Sequence, residues 1–538
     1  MFSKVNSVGL SGFKAQMIEV ECDLSTGLPR FDLVGLPDSA VSESRERVRS
    51  AIKNCGLNFP VSRITVNLAP AEFRKEGPNF DLPILIAILL ASKQLKVSLD
   101  GCALLGEISL DGELRRINGV LPMVIEAKQH NIKCIFLPFQ NATEASLIPD
   151  IEIYPVKSLP QLLNHLNGSE TIEKVKNFSF ENFNEQIYFD KKNEVNNSKE
   201  ISNIKNEKTT LKSELDFSDV VGQQAAKRAL EVAAAGNHNI LLIGSPGAGK
   251  SMLAKCLPGI LPDISFEEAI SCTSIYSVAG LLSEDMPLIT KRPFRSPHHT
   301  STDVAFAGGG RKATPGEISM AHNGVLFLDE FPMFSRSALE TLRQPLEDGK
   351  ITVSRNLYTA TYPGNILLVA AMNPCPCGYL YDPTKLCVCT NVAKQNYISK
   401  ISGPLLDRID IQIKVDPLDC ELLIKRDTNE EKIKRETSAE IKKRVVKARE
   451  IQQKRFKSSK ISCNAQMSTR QVHKFCYLTK EAEEILLAAY KRLEFSARAN
   501  NKILKVARTI ADLDDSPNIN QIHILEAIQY RSINRLGK

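Results

Sequence analysis

The stretch Gly244-Ser-Pro-Gly-Ala-Gly-Lys250-Ser251 constrains this chain more than any other. Ile240-Leu-Leu-Ile243 before it reads as a buried parallel strand, and Met252-Leu-Ala-Lys-Cys-Leu257 after it reads as the start of a helix. Strand, glycine loop and helix in that order are the setting in which a G-x-x-x-x-G-K-S/T string cradles phosphates. The glycines let the backbone turn its N–H groups and the helix N-terminus toward an anion. Gly244, Ser245, Pro246, Gly247, Ala248, Gly249, Lys250 and Ser251 are therefore expected to bind a nucleoside triphosphate. Lys250 would reach the β- and γ-phosphates and the Ser251 hydroxyl would sit on Mg²⁺.

Two later apolar runs end in the polar groups such a site needs. Gly324-Val-Leu-Phe-Leu-Asp329-Glu330 reads as a buried strand delivering two carboxylates. Asp329 would hold Mg²⁺ through water, and Glu330 would polarise the attacking water. Ile366-Leu-Leu-Val-Ala-Ala371 leads to Met372-Asn373. The Asn373 amide either bonds the attacking water or makes a turn before Pro374.

With 538 residues the chain exceeds one ordinary core, so several domains are expected. Its 43% apolar and 24% charged residues are those of a soluble globular protein, and a net charge of +7 is mild. The thirteen cysteines are odd in number and mostly isolated, and Met1-Phe-Ser-Lys-Val-Asn has no apolar signal core. A reducing cytoplasm is the expectation. The longest apolar run, Leu82 to Ala91, is too short to span a membrane and reads as a buried helix.

Residues 1–168 alternate β patterns with helices. Ile64–Leu68 and Cys134–Leu137 read as strands, Ser42–Lys53 and Met123–Gln129 as helices, the first with Ser42 or Ser44 near its cap. Residues 169–213 turn rich in Asn, Lys, Glu and Ser, a flexible linker with an aromatic contact at Phe178, Phe180 and Phe183. Residues 214–415 form an α/β block and 416–538 a helical part. That part carries Lys432, Lys434, Arg435, Lys442, Lys443, Arg444, Lys447, Arg449, Lys454, Arg455, Lys457 and Lys460. Such a run is either a solvated helix face or a polyanion footprint.

Cys375, Cys377, Cys387 and Cys389 form a C-x-C…C-x-C set within a turn-rich insert, 375–389. Four thiolates can complete a structural zinc shell, with reversible disulfides or reduced thiols as alternatives. Cys55, Cys256 and Cys420 read as buried fillers. Arg292-Pro-Phe-Arg-Ser-Pro-His298-His299-Thr-Ser-Thr302 reads as a loop contacting a polymer or a neighbour, with Gly308 to Gly310 as a flexible tip. Gly349–Arg355 reads as a β-hairpin arm.

Leu105-Gly-Glu-Ile-Ser-Leu-Asp-Gly112, Arg116-Ile-Asn-Gly119 and Ile132-Lys-Cys-Ile-Phe-Leu-Pro138 resemble the proteolytic domain of Lon proteases. That family uses a serine–lysine dyad. Here Asn79 and Leu121 stand in those places, and an amide with an alkane makes no nucleophile–base pair. The resemblance implies the fold without peptidase activity.

The middle of the chain resembles AAA+ ATPases, which implies further roles. Val221 and Gly222, in Phe217–Gln223 before a helix from Gln224 to Ala235, would line the adenine side. Asn373 would be the sensor 1 amide. Arg408, in Gly403-Pro-Leu-Leu-Asp-Arg408-Ile-Asp410, would be the arginine finger, although an ion pair with Asp407 or Asp410 is the plainer reading. Arg498 would be sensor 2, with Arg508 on the same helix as the alternative.

Arg-Ser-Pro-His-His-Thr, Asn-Pro-Cys-Pro-Cys-Gly and Leu-Leu-Asp-Arg-Ile-Asp are more specific still. Over nearly the whole chain the pattern resembles the ComM/YifB type of magnesium-chelatase-like AAA+ ATPases. The implied fold is α/β multidomain: a Lon-protease-like α+β N-terminal domain, a P-loop α/β core with the Cys-rich insert, and a C-terminal helical domain. The implied activity is that of a hexameric DNA-dependent ATPase, a branch-migration helicase of natural transformation, using ATP, Mg²⁺ and structural Zn²⁺. Its partners would be single-stranded or branched DNA, further copies of itself and recombinase proteins. A Lon-like unfoldase without peptidase activity and a metal-chelatase motor are the other classes. The N-terminal domain and the cysteine insert argue against the chelatase.

Overall fold

The computed structural model describes residues 1–176, 178, 215–283, 287–310, 313–355, 358–382, 385–417, 435–459, 461–493 and 497–531. Most of the expected linker lies outside them, as do Phe180, Phe183, Cys420, Lys432, Lys434 and Lys460.

The chain starts with two long antiparallel strands, β1 (Phe2–Ser11) and β2 (Lys14–Ser25), joined by the Gly12-Phe13 turn. β3 (Arg30–Val34), β4 (Arg63–Ala69), β5 (Cys102–Leu104), a small hairpin of β6 (Glu107–Ile108) and β7 (Leu114–Arg115), β8 (Cys134–Pro138) and β9 (Glu152–Val156) follow. Seven of them form one mixed sheet in the order β3-β4-β2-β1-β5-β8-β9. Helix α1 (Ser39–Asn54) begins three residues before Ser42, because the Asp38 carboxylate caps it by accepting from the Val41 N–H at 2.8 Å. Helix α2 (Asp81–Ala91) is the apolar run foreseen as buried, and its Asp81 is paired with Arg47 at 2.6 Å. Both pack on one face of the sheet, and α3 (Val120–Gln129) packs on the other. Helix α4 (Leu159–Leu166) joins the first face.

Two expectations need correction here. Residues after 168 do not leave the domain at once: Ile172 is buried, and the Val175 and Phe178 N–H groups bond Ile153 O and Ser146 O at 2.9 Å. Cys102 and Cys134 are not isolated thiols, since the β5/β8 register sets them opposite each other and they form a disulfide.

The second unit contains β10 (Ile240–Gly244), β11 (Phe294–Arg295), the paired β12 (Gly308–Gly309) and β13 (Thr314–Pro315), and β14 (Val325–Leu328). The hairpin β15 (Lys350–Arg355) and β16 (Tyr358–Pro363) follows, then β17 (Leu367–Met372) and β18 (Ile411–Val415). Five strands make a parallel sheet in the order β11-β14-β17-β10-β18. β10, β14 and β17 are buried along their whole length, as unbroken apolar runs require in a sheet covered on both faces. The helices that matter here are α5 (Gln224–Gly236), α6 (Lys250–Cys256) and α7 (Phe266–Ala279). Gly308 and Gly309 are buried within the β12/β13 pair rather than forming a flexible tip.

The helical C-terminal part contains α8 (Ser438–Phe456), α9 (Lys480–Leu493), α10 (Ala497–Leu513) and α11 (Gln521–Gln529), and it shares a core with α5. Much of the basic run is consumed in this packing. Lys442 pairs with Asp263 at 2.7 Å, Arg444 with Glu231 at 2.5 Å, Lys447 with Asp515 at 2.9 Å and Arg455 with Asp512 at 2.5 Å. Arg449 donates to Ala234 O. For these residues an intramolecular role replaces the polyanion footprint. Among the described residues no helix is long and apolar enough to cross a membrane.

The N-terminal domain docks on α7 through the start of α3. Gly119 N–H bonds Ser277 O at 3.1 Å, and the buried Glu144 accepts from Leu121 N–H at 3.0 Å and from the Ser277 hydroxyl. Burial raises the Glu144 carboxyl above the usual range, and these donors oppose the rise. Replacing Glu144 with alanine strands two buried donors. It should destabilise the docked chain by about 1–3 kcal/mol in urea denaturation, and Glu144→Gln, which keeps an acceptor, should lose less.

Candidate nucleotide-binding site

In a parallel sheet all strands end on one edge, and ligands bind beyond those carboxyl ends. β10 runs into the glycine loop there, with Gly247 and Gly249 at φ 81° and 85°, a left-handed backbone that suits glycine. α6 starts at Lys250, so the loop N–H groups and the helix N-terminus face the same space. A cavity of about 630 Å³ opens beyond the edge, lined by residues 246–252 of the loop and helix together with Asp329, Glu330 and Asn373.

The side chains are drawn together as the sequence suggests. Ser251 Oγ donates to Asp329 Oδ2 at 2.6 Å, joining the loop to the end of β14. Lys250 Nζ donates to Gly244 O, Ser245 O and Asn373 Oδ1 at 2.8, 2.9 and 3.1 Å. Burial pushes the Lys250 ammonium below the usual lysine range, and the Asp329 carboxylate opposes that shift. Glu330 has φ 51° and ψ 44°. That left-handed backbone costs an L-residue about 1–2 kcal/mol and presents the side chain at the mouth of the cavity. Val221 and Gly222 lie beside the loop, because the adjacent Gln223 amide donates to Ala248 O at 3.4 Å and to Asp416 O at 2.6 Å.

Arg408 and Arg498 are not brought to this cavity. They line a second one of about 730 Å³ together with Glu347, Asp410 and Lys502. Arg408 pairs with Glu347 and donates to Pro404 O at 2.8 Å, while Asp410 is paired with Lys502 at 2.7 Å. The expected partners Asp407 and Asp410 are therefore not the ones it uses. Arg508 is buried and bonds Asp512, Ser516 O and Pro517 O, fastening its own helix. Arg498 alone stays exposed on that helix as a candidate sensor.

The sequence placed the Arg292–Thr302 string against a polymer or a neighbour. Instead His298 and His299 line the nucleotide cavity with ring centroids 4.1 Å apart, and His299 Nδ1 is 3.1 Å from Glu330 Oε2. The signal that could have found them is position: within the string the two histidines come just after β11, at the same sheet edge. The four insert cysteines also gather, their Sγ atoms all within 4.8 Å of one another. The insert continues from Asn373 and packs on the cradle: a Cβ on Gly378 would sit 2.6 Å from Pro246 Cδ.

Comparison with known proteins places the whole chain in one family. The families described as magnesium chelatase subunit ChlI, subunit ChlI of Mg-chelatase and magnesium chelatase subunit ChlI C-terminal match residues 216–423, 20–141 and 435–531. Competence protein ComM of Haemophilus influenzae is 41% identical over 528 residues, 98% of this chain and 96% of its own. The chain belongs to the ComM/YifB family of magnesium-chelatase-like AAA+ proteins. YifB of Escherichia coli, described as uncharacterized, is 40% identical over 99% of this chain and 98% of its own. An uncharacterized protein of Mycobacterium tuberculosis is 40% identical over 96% of each.

If Ser251 and Asp329 jointly hold Mg²⁺, Ser251→Ala should bind a fluorescent ATP analogue about tenfold more weakly with Mg²⁺ present and nearly normally without it.

Proposed function

We propose that this chain is an ATP-driven, ring-forming DNA motor, a hexameric branch-migration helicase acting in recombination during natural transformation. The observation that carries the reading is the convergence of Lys250, Ser251, Asp329, Glu330 and Asn373 on one cavity at the sheet edge, with Arg408 and Arg498 on a different cavity. A catalytic centre divided in this way is complete only when a second copy supplies its arginines, so hydrolysis belongs to an assembly. Ser251 and Asp329 would hold Mg²⁺, which supplies charge neutralisation to the phosphates. Lys250 binds the β- and γ-phosphates, Asn373 orients the attacking water, and Glu330 polarises it. Arg408 from the adjoining subunit stabilises charge on the transferred phosphoryl group. The DNA part is supported by the printed name of the H. influenzae relative, a competence protein. It is also supported by the two hairpins, β12/β13 and β15/β16, which lie against each other on the same unit.

The N-terminal domain is read as a Lon-like fold without its chemistry. Asn79 is buried with its amide donating to Val8 O at 3.0 Å, and Leu121 is buried beneath α7. Neither position can supply a nucleophile or a base.

The cysteine cluster fits structural zinc. A tetrahedron with Zn–S bonds of ~2.3 Å has S···S edges of about 3.8 Å. Cys375 lies 3.4 Å from Cys377 and 3.7 Å from Cys387, and Cys377 lies 3.7 Å from Cys387. Four sulfur ligands leave no open position, so the ion would hold the insert together rather than react.

ATP should drive the purified chain to separate four-way and three-way DNA junctions, and a non-hydrolysable analogue should not. Glu330→Gln should still bind ATP but turn it over about 10²–10⁴-fold more slowly. Mixing Arg408→Ala with Lys250→Ala subunits should restore part of the ATPase that each variant lacks alone. A chain that stays monomeric with nucleotide and junction present would refute the proposal. Elemental analysis should find one zinc per chain, lost in Cys377→Ser.

A further inference from the structure

The reaction outlined above asks Arg408 to act on a neighbour's nucleotide, yet within its own chain the guanidinium is already taken. Nη2 is paired with Glu347, and Nη1 donates to Pro404 O at 2.8 Å. Nε is buried and has no hydrogen-bond partner among the described residues. The bonding of this cation is therefore incomplete as it stands. The Arg408 side chain is 14% exposed and that of Glu347 56%, so the acid forms the outer cover of the pair. The bond from Arg408 holds the Glu347 carboxyl below the usual range, and the nearby Arg498 and Arg343 lower it further.

Glu347 is placed by the hairpin that follows it. It stands in the short helix Arg343–Asp348, which ends at Gly349 with φ 64° and continues straight into β15. Gln344 fastens the same helix to the strand: its side-chain oxygen accepts from Thr352 N–H at 3.0 Å, and its nitrogen donates to Thr352 Oγ1 at 3.3 Å. The helix backbone is thus anchored, while the Glu347 side chain, more than half exposed, can turn away from Arg408.

We propose that Glu347 is a positioning residue that occupies Arg408 in the separate subunit and gives it up only to the γ-phosphate of a second copy's ATP. A guanidinium paired with a carboxylate has most of its charge cancelled and stabilises little negative charge elsewhere. The terminal phosphate of ATP carries more charge than a carboxylate and offers three oxygens, so it displaces Glu347. In ADP the last phosphate lies one group further from the boundary, the exchange does not occur, and the pair stays closed. Assembly of the ring thus depends on which nucleotide the neighbouring cradle holds. This inference rests on the reading of Arg408 as the arginine supplied across a subunit boundary.

The test is sedimentation velocity of the full-length chain, titrated with ADP or with a non-hydrolysable ATP analogue. The wild type should assemble with the analogue and stay dissociated with ADP. Glu347→Gln keeps the size of the side chain and removes its charge. It should reach half-assembly at an analogue concentration about tenfold lower, the difference between a charge-assisted hydrogen bond and a neutral one, and Glu347→Ala should shift it in the same direction. In an Arg408→Ala background the Glu347→Gln shift should vanish, since no guanidinium is left to compete for. A Glu347→Gln chain that needs as much analogue as the wild type, a shift that persists without Arg408, or a wild type that assembles equally with ADP overturns the inference. Arg408→Ala measured alone separates the two readings. If it assembles and hydrolyses ATP as the wild type does, the assignment of Arg408 fails and the role of Glu347 with it. If it is impaired while Glu347→Gln matches the wild type, only the role of Glu347 fails.

Discussion

The hydrogen bond from Ser251 to Asp329 is the join on which the catalytic edge depends, because it links the start of α6 to the end of β14 across 78 residues of sequence. It can form only because β10, β17 and β14 are adjacent and parallel, so that their last residues emerge side by side. Lys250 completes the link by reaching Asn373 at the end of β17. Three strand ends are thus fixed relative to one another by side chains of the phosphate loop itself. The cost is a buried ammonium and a strained Glu330 backbone, both at the place where charge has to be handled.

What could be read from the sequence follows from how local each signal is. The apolar runs at Ile240, Val325 and Leu367 were legible because a doubly covered parallel strand is continuous in hydrophobicity, and the polar residue at each end marks the sheet edge. The cysteine set was legible from spacing alone, and its sulfurs do gather. The His299 contact was not legible, since β11 is only two residues long and Glu330 lies 31 positions away. Arg408 likewise takes Glu347, 61 positions distant, over the acids beside it. The basic run misled in another way: charge density on a helix says nothing of the acids that other elements bring to it, and Glu231, Asp263, Asp512 and Asp515 all come from elsewhere.

The N-terminal domain is held to the second unit at two separate places. Leu121 and Asn118 lie under α7, and Glu144 spans the boundary to Ser277. The tip of its long β1/β2 hairpin reaches the other side of the second unit, where a Cβ on Gly12 would lie 2.4 Å from that of Ala360 in β16 and Phe13 packs near Tyr362 at 5.9 Å. The domain therefore touches both the first long helix after the cradle and one of the two hairpins.

The insert at 375–389 is packed against the wall of the cradle. Cys375 follows Asn373 by two residues, and Gly378 is pressed so closely on Pro246 that not even a methyl group fits between them. The cradle wall and the insert that holds the sulfur cluster are therefore in direct contact. A shift in the sulfur cluster would thus be felt first at Pro246, in the turn between β10 and α6.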